Sequence, residues 1–207
     1  KHNYCVIGAG HGGQALAAYL AYLGNPTIIY NRTKTVVDQI NSMGGIQLHG
    51  MIESMVKDIH ATHRLKEALD TSELIMVCIP AHAHEEIAEL MAPYLQAHHK
   101  VIINPGRTLG AFLFKKYLSA AGCDLDIPIC ETDTFVLTSR RVRPGVSHIY
   151  SRKKKLRVAA LNPSHNEVVY KALKPSFNMI CMEESIIITS LSNIGMLFHP
   201  FPALMNL

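Results

Sequence analysis

The sequence predicts an α/β fold of the Rossmann type: a doubly wound, mostly parallel sheet, with the beginning of a C-terminal all-helical domain. Three observations carry this. A short apolar run at residues 3–8 enters a glycine-rich turn, after which apolar residues recur at helical spacing. The apolar runs at 74–79 and 101–104 are continuous, as for strands buried on both faces of a parallel sheet. Helical and extended segments alternate through the first 120 residues, the rhythm of β-α-β units with right-handed crossovers.

Residues 3–8 (NYCVIG) are the first strand, and 14–23 the first helix, which Gly24 stops. A β-branched run at 27–30 and a helix over 33–43, closed by Gly44 and Gly45, complete a βαβα unit. Residues 46–57 read as paired strands broken at Gly50, and 64–69 as a short helix. The strand at 74–79 ends at Pro80; a helix at 85–95, a strand at 101–104 and a helix at 110–121 follow. After Pro128 strands dominate, at 129–131, 135–138, 148–150 and 156–161, before helices at 166–173 and from about Glu183. The dinucleotide-binding domain is therefore drawn at residues 1–182 and the start of a helical substrate or catalytic domain at 183–207. The chain opens on Lys1 and stops at Leu207 within an apolar, helical stretch, so it reads as a truncated part of a longer protein.

Composition excludes several classes. With 48% hydrophobic and 17% charged residues and no low-complexity tract, the chain is globular and not disordered. A net charge of +4, from 20 basic and 16 acidic residues, is too small for a nucleic-acid partner unless concentrated. Its one local cluster, Arg152, Lys153, Lys154, Lys155 and Arg157, leads into an apolar run and reads as a solvated turn before a strand. Five widely spaced cysteines, an odd number, three of them in apolar runs, point to a reducing cytoplasm. No apolar stretch is long enough to span a bilayer and no secretion signal opens the chain, so a soluble protein without a membrane partner is expected. A homodimer is compatible with the sequence, which does not set the oligomeric state.

The chemistry begins at Gly8, Gly10 and Gly13, spaced G-x-G-x-x-G, with Ala9, His11 and Gly12 completing the turn. The first glycine permits the tight turn, the second lets the backbone approach a pyrophosphate, and the third lets helix pack closely on strand; the helix terminus offers amide donors to the anion. A motif after a strand, opening a helix and inside a βαβ unit predicts dinucleotide binding. The end of the second strand distinguishes the dinucleotides, because a carboxylate there would bind a ribose 2′-hydroxyl and repel a 2′-phosphate. Asn31, Arg32, Thr33 and Lys34 hold no carboxylate but do hold a guanidinium suited to phosphate and adenine. The cofactor is read as NADP, with NAD, accepted through Asn31, as the alternative.

From Ala61 onward, ATHRLKEALDTSELIMVCIPAHAHEEIA resembles the region of the 6-phosphogluconate and glycerol-3-phosphate dehydrogenase superfamily where a short helix, a buried strand and a proline turn border the nicotinamide. Within that superfamily, residues 80–85 (PAHAHE), 104–108 (NPGRT), 131–134 (ETDT) and especially 193–206 (NIGMLFHPFPALMN) resemble the octopine/nopaline (opine) dehydrogenases, over essentially the whole chain. The resemblance implies a reductive condensation in which a 2-oxo acid and an amino acid form an imine that NAD(P)H reduces. His199, in the His-Pro segment, matches the family's acid/base histidine; its partner aspartate and a carboxylate-binding arginine would lie past Leu207. Imidazole, with an ordinary pKa near 6.5, suits that exchange near neutral pH. The resemblance also puts Thr134, Ser139 and Asn193 near the substrate, although one member has cysteine where Ser139 stands. Pro80, Ala81, His84 and Asn104 fall beside the nicotinamide.

His82-x-His84 and His98-His99 raise the question of a metal, but no carboxylate or thiolate stands at zinc-site spacing, and none is expected. Two other functions stay open: a ketone or 2-oxo acid reductase of the ketopantoate or glycerol-3-phosphate type, and a module that senses a dinucleotide without turnover.

Overall fold

The computed structural model describes residues 2–192 and Met205. The chain opens with β1 (Tyr4–Ile7), α1 (His11–Tyr22), β2 (Thr27–Tyr30), α2 (Lys34–Ser42), β3 (Ile46–Gly50), β4 (Ser54–Val56) and β5 (Ile59–Thr62). It continues through α3 (Leu65–Asp70), β6 (Leu74–Val77), α4 (His84–Met91), β7 (Lys100–Ile103) and α5 (Gly110–Ala120). It closes with β8 (Ile129–Thr132), β9 (Leu137–Arg143), β10 (Val146–Arg152), β11 (Leu156–Ala160), α6 (Asn166–Leu173), β12 (Ile180–Met182) and α7 (Ile186–Leu191).

Eight strands form the main sheet in the order β12-β11-β8-β7-β6-β1-β2-β5. All its pairings are parallel except the antiparallel one of β11 with β8, so the mostly parallel Rossmann sheet read from the sequence is observed. The apolar runs make the middle of this sheet, where β1, β2, β6 and β8 are buried on both faces. Tyr4 and Val6 join the core under α1 and α2, while Cys5 and Ile7 join the core under α3, α4 and α5. Leu74 and Met76 divide from Ile75 and Val77 in the same way, as the two-residue period requires.

A second sheet of four strands, in the order β4-β3-β10-β9, is absent from the sequence reading. The strand expected at 135–138 runs instead from Leu137 to Arg143, and that at 148–150 from Val146 to Arg152. Their sequences, LTSRRVR and VSHIYSR, hide the pattern because their apolar support comes from α1, not from alternating residues of their own. The parallel strands β5 and β12, too short and mixed to stand out, also went unread at the sheet's two edges. No helix among the described residues is long and apolar enough to cross a membrane.

Helix α1 lies between the two sheets. Its residues Gly13 to Ala21 are all buried, and alanines at 15, 17 and 18 allow close approach on opposite sides. Gln14, fully buried, ties helix to second sheet: its Nε2 donates to Ser147 Oγ (2.8 Å) and to the Arg143 carbonyl (3.2 Å), and its Oε1 accepts from the Gly145 N–H (3.0 Å). Replacing this side chain strands a buried donor. Gln14→Ala is expected to lower unfolding stability by about 1–3 kcal/mol, read in urea as a lower midpoint with little change of slope.

Candidate cofactor and substrate site

The glycine turn sits at the C-terminal end of β1, between β2 and β6. Gly8 has φ +100°, and its N–H bonds the Tyr30 carbonyl at 2.8 Å. A Cβ built on Gly13 would lie 1.9 Å from the Gly8 carbonyl oxygen, whereas one on Gly10 would meet nothing within 4 Å. Helix and strand are therefore in backbone contact at Gly13, while the turn at Gly10 stays open to an approaching group. These are the separate demands of a pyrophosphate-binding turn, and the residues present fit a dinucleotide. Asn31 braces the turn, its Oδ1 accepting the Ala9 N–H at 3.1 Å. Thr33 precedes α2, its carbonyl accepting from Val36 and Val37.

Two clefts flank the turn. The first is lined by Gly8, Tyr30, Asn31, Arg32, Pro80 and Glu86, among others, and suits an adenosine. Burial, with the Glu86 carboxylate adding to it, raises the Tyr30 phenol above its ordinary value, which keeps the hydroxyl protonated. Arg32 is exposed and its Nη1 donates to both Glu86 oxygens, at 2.8 and 2.7 Å. The sequence reading found no carboxylate at the end of β2; the structure brings one from α4, 54 residues further on.

The second cleft is lined by Gly10, His11, Gly12, Pro80 and Ala81 on the turn side, and by Arg107, Thr134, Phe135, Ser139 and Lys153 opposite. Phe135 stands over the turn so closely that a Cβ on Gly12 would fall 2.6 Å from its ring, and the Arg107 guanidinium lies 5.7 Å from the ring centre. Its charged lining residues are cationic, Arg107 and Lys153, beside the imidazole of His11. Cys78 is there too, but burial pushes its thiol up to about 12, so it is no ready nucleophile.

Strand β9 clasps the turn from the second sheet. Ser139 Oγ donates to the His11 carbonyl (2.9 Å), the Arg141 N–H to His11 Nδ1 (2.9 Å), and Arg141 Nη1 to the Ala9 carbonyl (2.8 Å). Asn104, buried, lies beneath the cleft: Nδ2 donates to Cys78 Sγ (3.4 Å) and Oδ1 accepts from Thr132 Oγ1 (3.0 Å). His84 lines neither cleft; it is buried edge-on against Phe114 at 6.0 Å, and burial lowers its pKa. His199 and Asn193 lie outside the described residues. Among the described residues, no group of three or more His, Cys, Asp and Glu side chains forms a metal site.

The loop carrying Arg107 is held from below. Arg107 and Leu109 have φ +61° and +57°, a strained region for residues other than glycine. Leu109 N–H bonds Ser190 Oγ (2.9 Å), which donates to Glu131 Oε1 (2.7 Å); Thr189 donates to the same oxygen (2.8 Å), and Ala111 N–H to Glu131 Oε2 (2.9 Å). Glu131 is fully buried, and Gly106 leaves it room.

Arg107, Phe135, Lys153, Arg141 and Glu86 are the residues that sequence reasoning missed. Arg107 stood inside the NPGRT run and Lys153 inside the basic cluster, so a signal existed for both; for Phe135, Arg141 and Glu86 there was none.

Fold and site together define a Rossmann-type NAD(P)-binding domain. The chain belongs to the family described as NAD-dependent glycerol-3-phosphate dehydrogenase N-terminus, whose model matches residues 3–106. The resemblance to opine dehydrogenases is borne out over the whole chain, which is 29% identical over 207 residues to the opine dehydrogenase of Arthrobacter sp. (strain 1C), covering 99% of this chain and 57% of the relative. Octopine dehydrogenase solved with NADH and pyruvate shares the fold at TM-score 0.74 and 16% identity, over 91% of this chain and 51% of that one. Yersinopine dehydrogenase with NADP+ bound does so at TM-score 0.72 and 15% identity, over 94% and 50%. The chain thus spans about half the length of these relatives.

Gly13→Ala must push α1 off the Gly8 carbonyl. It is expected to abolish detectable NADH and NADPH binding in a fluorescence titration and to lower the melting temperature, whereas Gly10→Ala, placed in open space, should retain the fold.

Proposed function

We propose that the chain is the cofactor-binding part of an opine-type dehydrogenase, which condenses a 2-oxo acid with the amino group of an amino acid. The observation that carries this reading is the cationic second cleft beside the glycine turn, in a chain that matches an opine dehydrogenase from end to end. Condensation expels water and forms a C=N bond; reduction adds a hydride at carbon and a proton at nitrogen. The cofactor, when bound, supplies the hydride.

This chain's residues divide the remaining work. Gly8, Gly10 and Gly13 shape the turn for the pyrophosphate, and Pro80 lines both clefts, with Ala81 beside it in the second. Arg107 and Lys153 suit the carboxylates of both substrates, and Thr134 with Ser139 offers hydroxyls at the same wall. His199 is assigned the acid/base role and Asn193 a place near substrate, with residues 183–207 read as the start of the helical catalytic domain. NADP is favoured over NAD because Arg32 presents an exposed guanidinium at the adenosine end. We place the protein in the cytoplasm, in keeping with its five free thiols; a homodimer is compatible with the chain, and light scattering on the full chain checks it.

A second reading, favoured by the family match over residues 3–106, is a ketone or 2-oxo acid reductase of the glycerol-3-phosphate or ketopantoate type. Amine dependence separates the two. NADPH oxidation by the full-length protein with pyruvate or 2-oxoglutarate is expected to require an added amino acid, and equal rates without one overturn the opine reading. His199→Ala should lower turnover about 10²- to 10⁴-fold while NADPH still binds. Arg32→Ala should weaken NADPH binding by roughly tenfold or more and NADH binding far less; an unchanged preference refutes the NADP assignment.

A further inference from the structure

Arg32 carries the NADP reading, yet it does not stand alone. Glu86, in the first turn of α4, reaches across the adenosine-side cleft and accepts from Arg32 Nη1 with both carboxylate oxygens, at 2.8 and 2.7 Å. Both side chains line that cleft together with Tyr30 and Asn31. They are 71% and 54% exposed, so the pair is solvated and contributes little to the fold. A carboxylate in the first turn of a helix is favoured by the helix dipole alone, but Glu85 in the same turn already meets that demand. What distinguishes Glu86 is its contact with the cation that would meet a 2′-phosphate.

We propose that Glu86 is a specificity-determining residue, holding this site's preference for NADP over NAD well below what Arg32 alone would give. The inference rests on the reading of the cleft as an NAD(P) site. For a 2′-phosphate to engage Arg32, the guanidinium must release Glu86, and the remaining carboxylate then faces a phosphate of the same sign. A 2′-hydroxyl imposes neither cost, because a carboxylate accepts hydrogen bonds from hydroxyls and the ion pair can persist. Glu86 therefore provides from α4 the acidic group that is missing from the end of β2. The two charges form a balance: Arg32 admits the phosphate and Glu86 limits the gain.

The test is direct binding of NADPH and NADH to the full chain, by calorimetry at low salt, for wild type, Glu86→Gln, Arg32→Ala and the double variant, with melting temperatures as a check on folding. Glu86→Gln is expected to tighten NADPH binding roughly three- to tenfold, with NADH changed less than about twofold. In the Arg32→Ala background the same substitution should yield a clearly smaller gain, because the cation it releases is gone, and added salt should shrink the effect. No change in the NADPH-to-NADH ratio, or an equal change in both affinities, overturns the role of Glu86 and leaves the NAD(P) reading intact. A wild-type chain that binds neither dinucleotide overturns the NAD(P) reading itself, and this one with it.

Discussion

The contact between Gly13 and the Gly8 carbonyl constrains everything around it. A helix can approach a strand this closely only where no Cβ intervenes, and this chain places glycine at both ends of the contact. The approach fixes α1 over β1, directs its N-terminus at the open space by Gly10, and sets the floor of both clefts. The alanines that follow extend the same logic along the helix, leaving room for a sheet on each side. One close contact thus orders the phosphate turn, the main sheet and the second sheet together.

The second sheet matters functionally because it shares residues with that turn. Ser139 and Arg141 of β9 bond the carbonyls of His11 and Ala9, so the wall of the second cleft and the glycine turn are one hydrogen-bonded unit. Gln14 fastens the same sheet one helical turn further along. The glycine turn and the second cleft are consequently positioned by a common set of bonds.

The sequence made legible what local pattern encodes. The glycine spacing and the β1, β2, β6 and β7 runs needed only apolar content and turn chemistry to be read. Strand β9 was placed too early because its residues alternate poorly and its burial comes from α1. Glu86 was invisible as a partner of Arg32 because the two meet only through the order of strands, with β2 and β6 on either side of β1. Arg107 and Lys153 illustrate a milder loss: both stood in segments singled out by sequence, but their convergence on one cleft follows from the loop after β7 and the end of β10. The acid/base assignment of His199 rests on its motif alone.

Glu131 bears on where this domain can be said to end. Its buried side chain accepts hydrogen bonds from the Thr189 and Ser190 hydroxyls, so α7 fills hydrogen-bonding positions inside the Rossmann core. A chain stopped at residue 182 would keep every strand of both sheets, yet leave an acid in its interior short of two donors and the Arg107 loop without its tether at Leu109. In hydrogen bonds, if not in strands, the first turns of the following segment are already part of the cofactor domain.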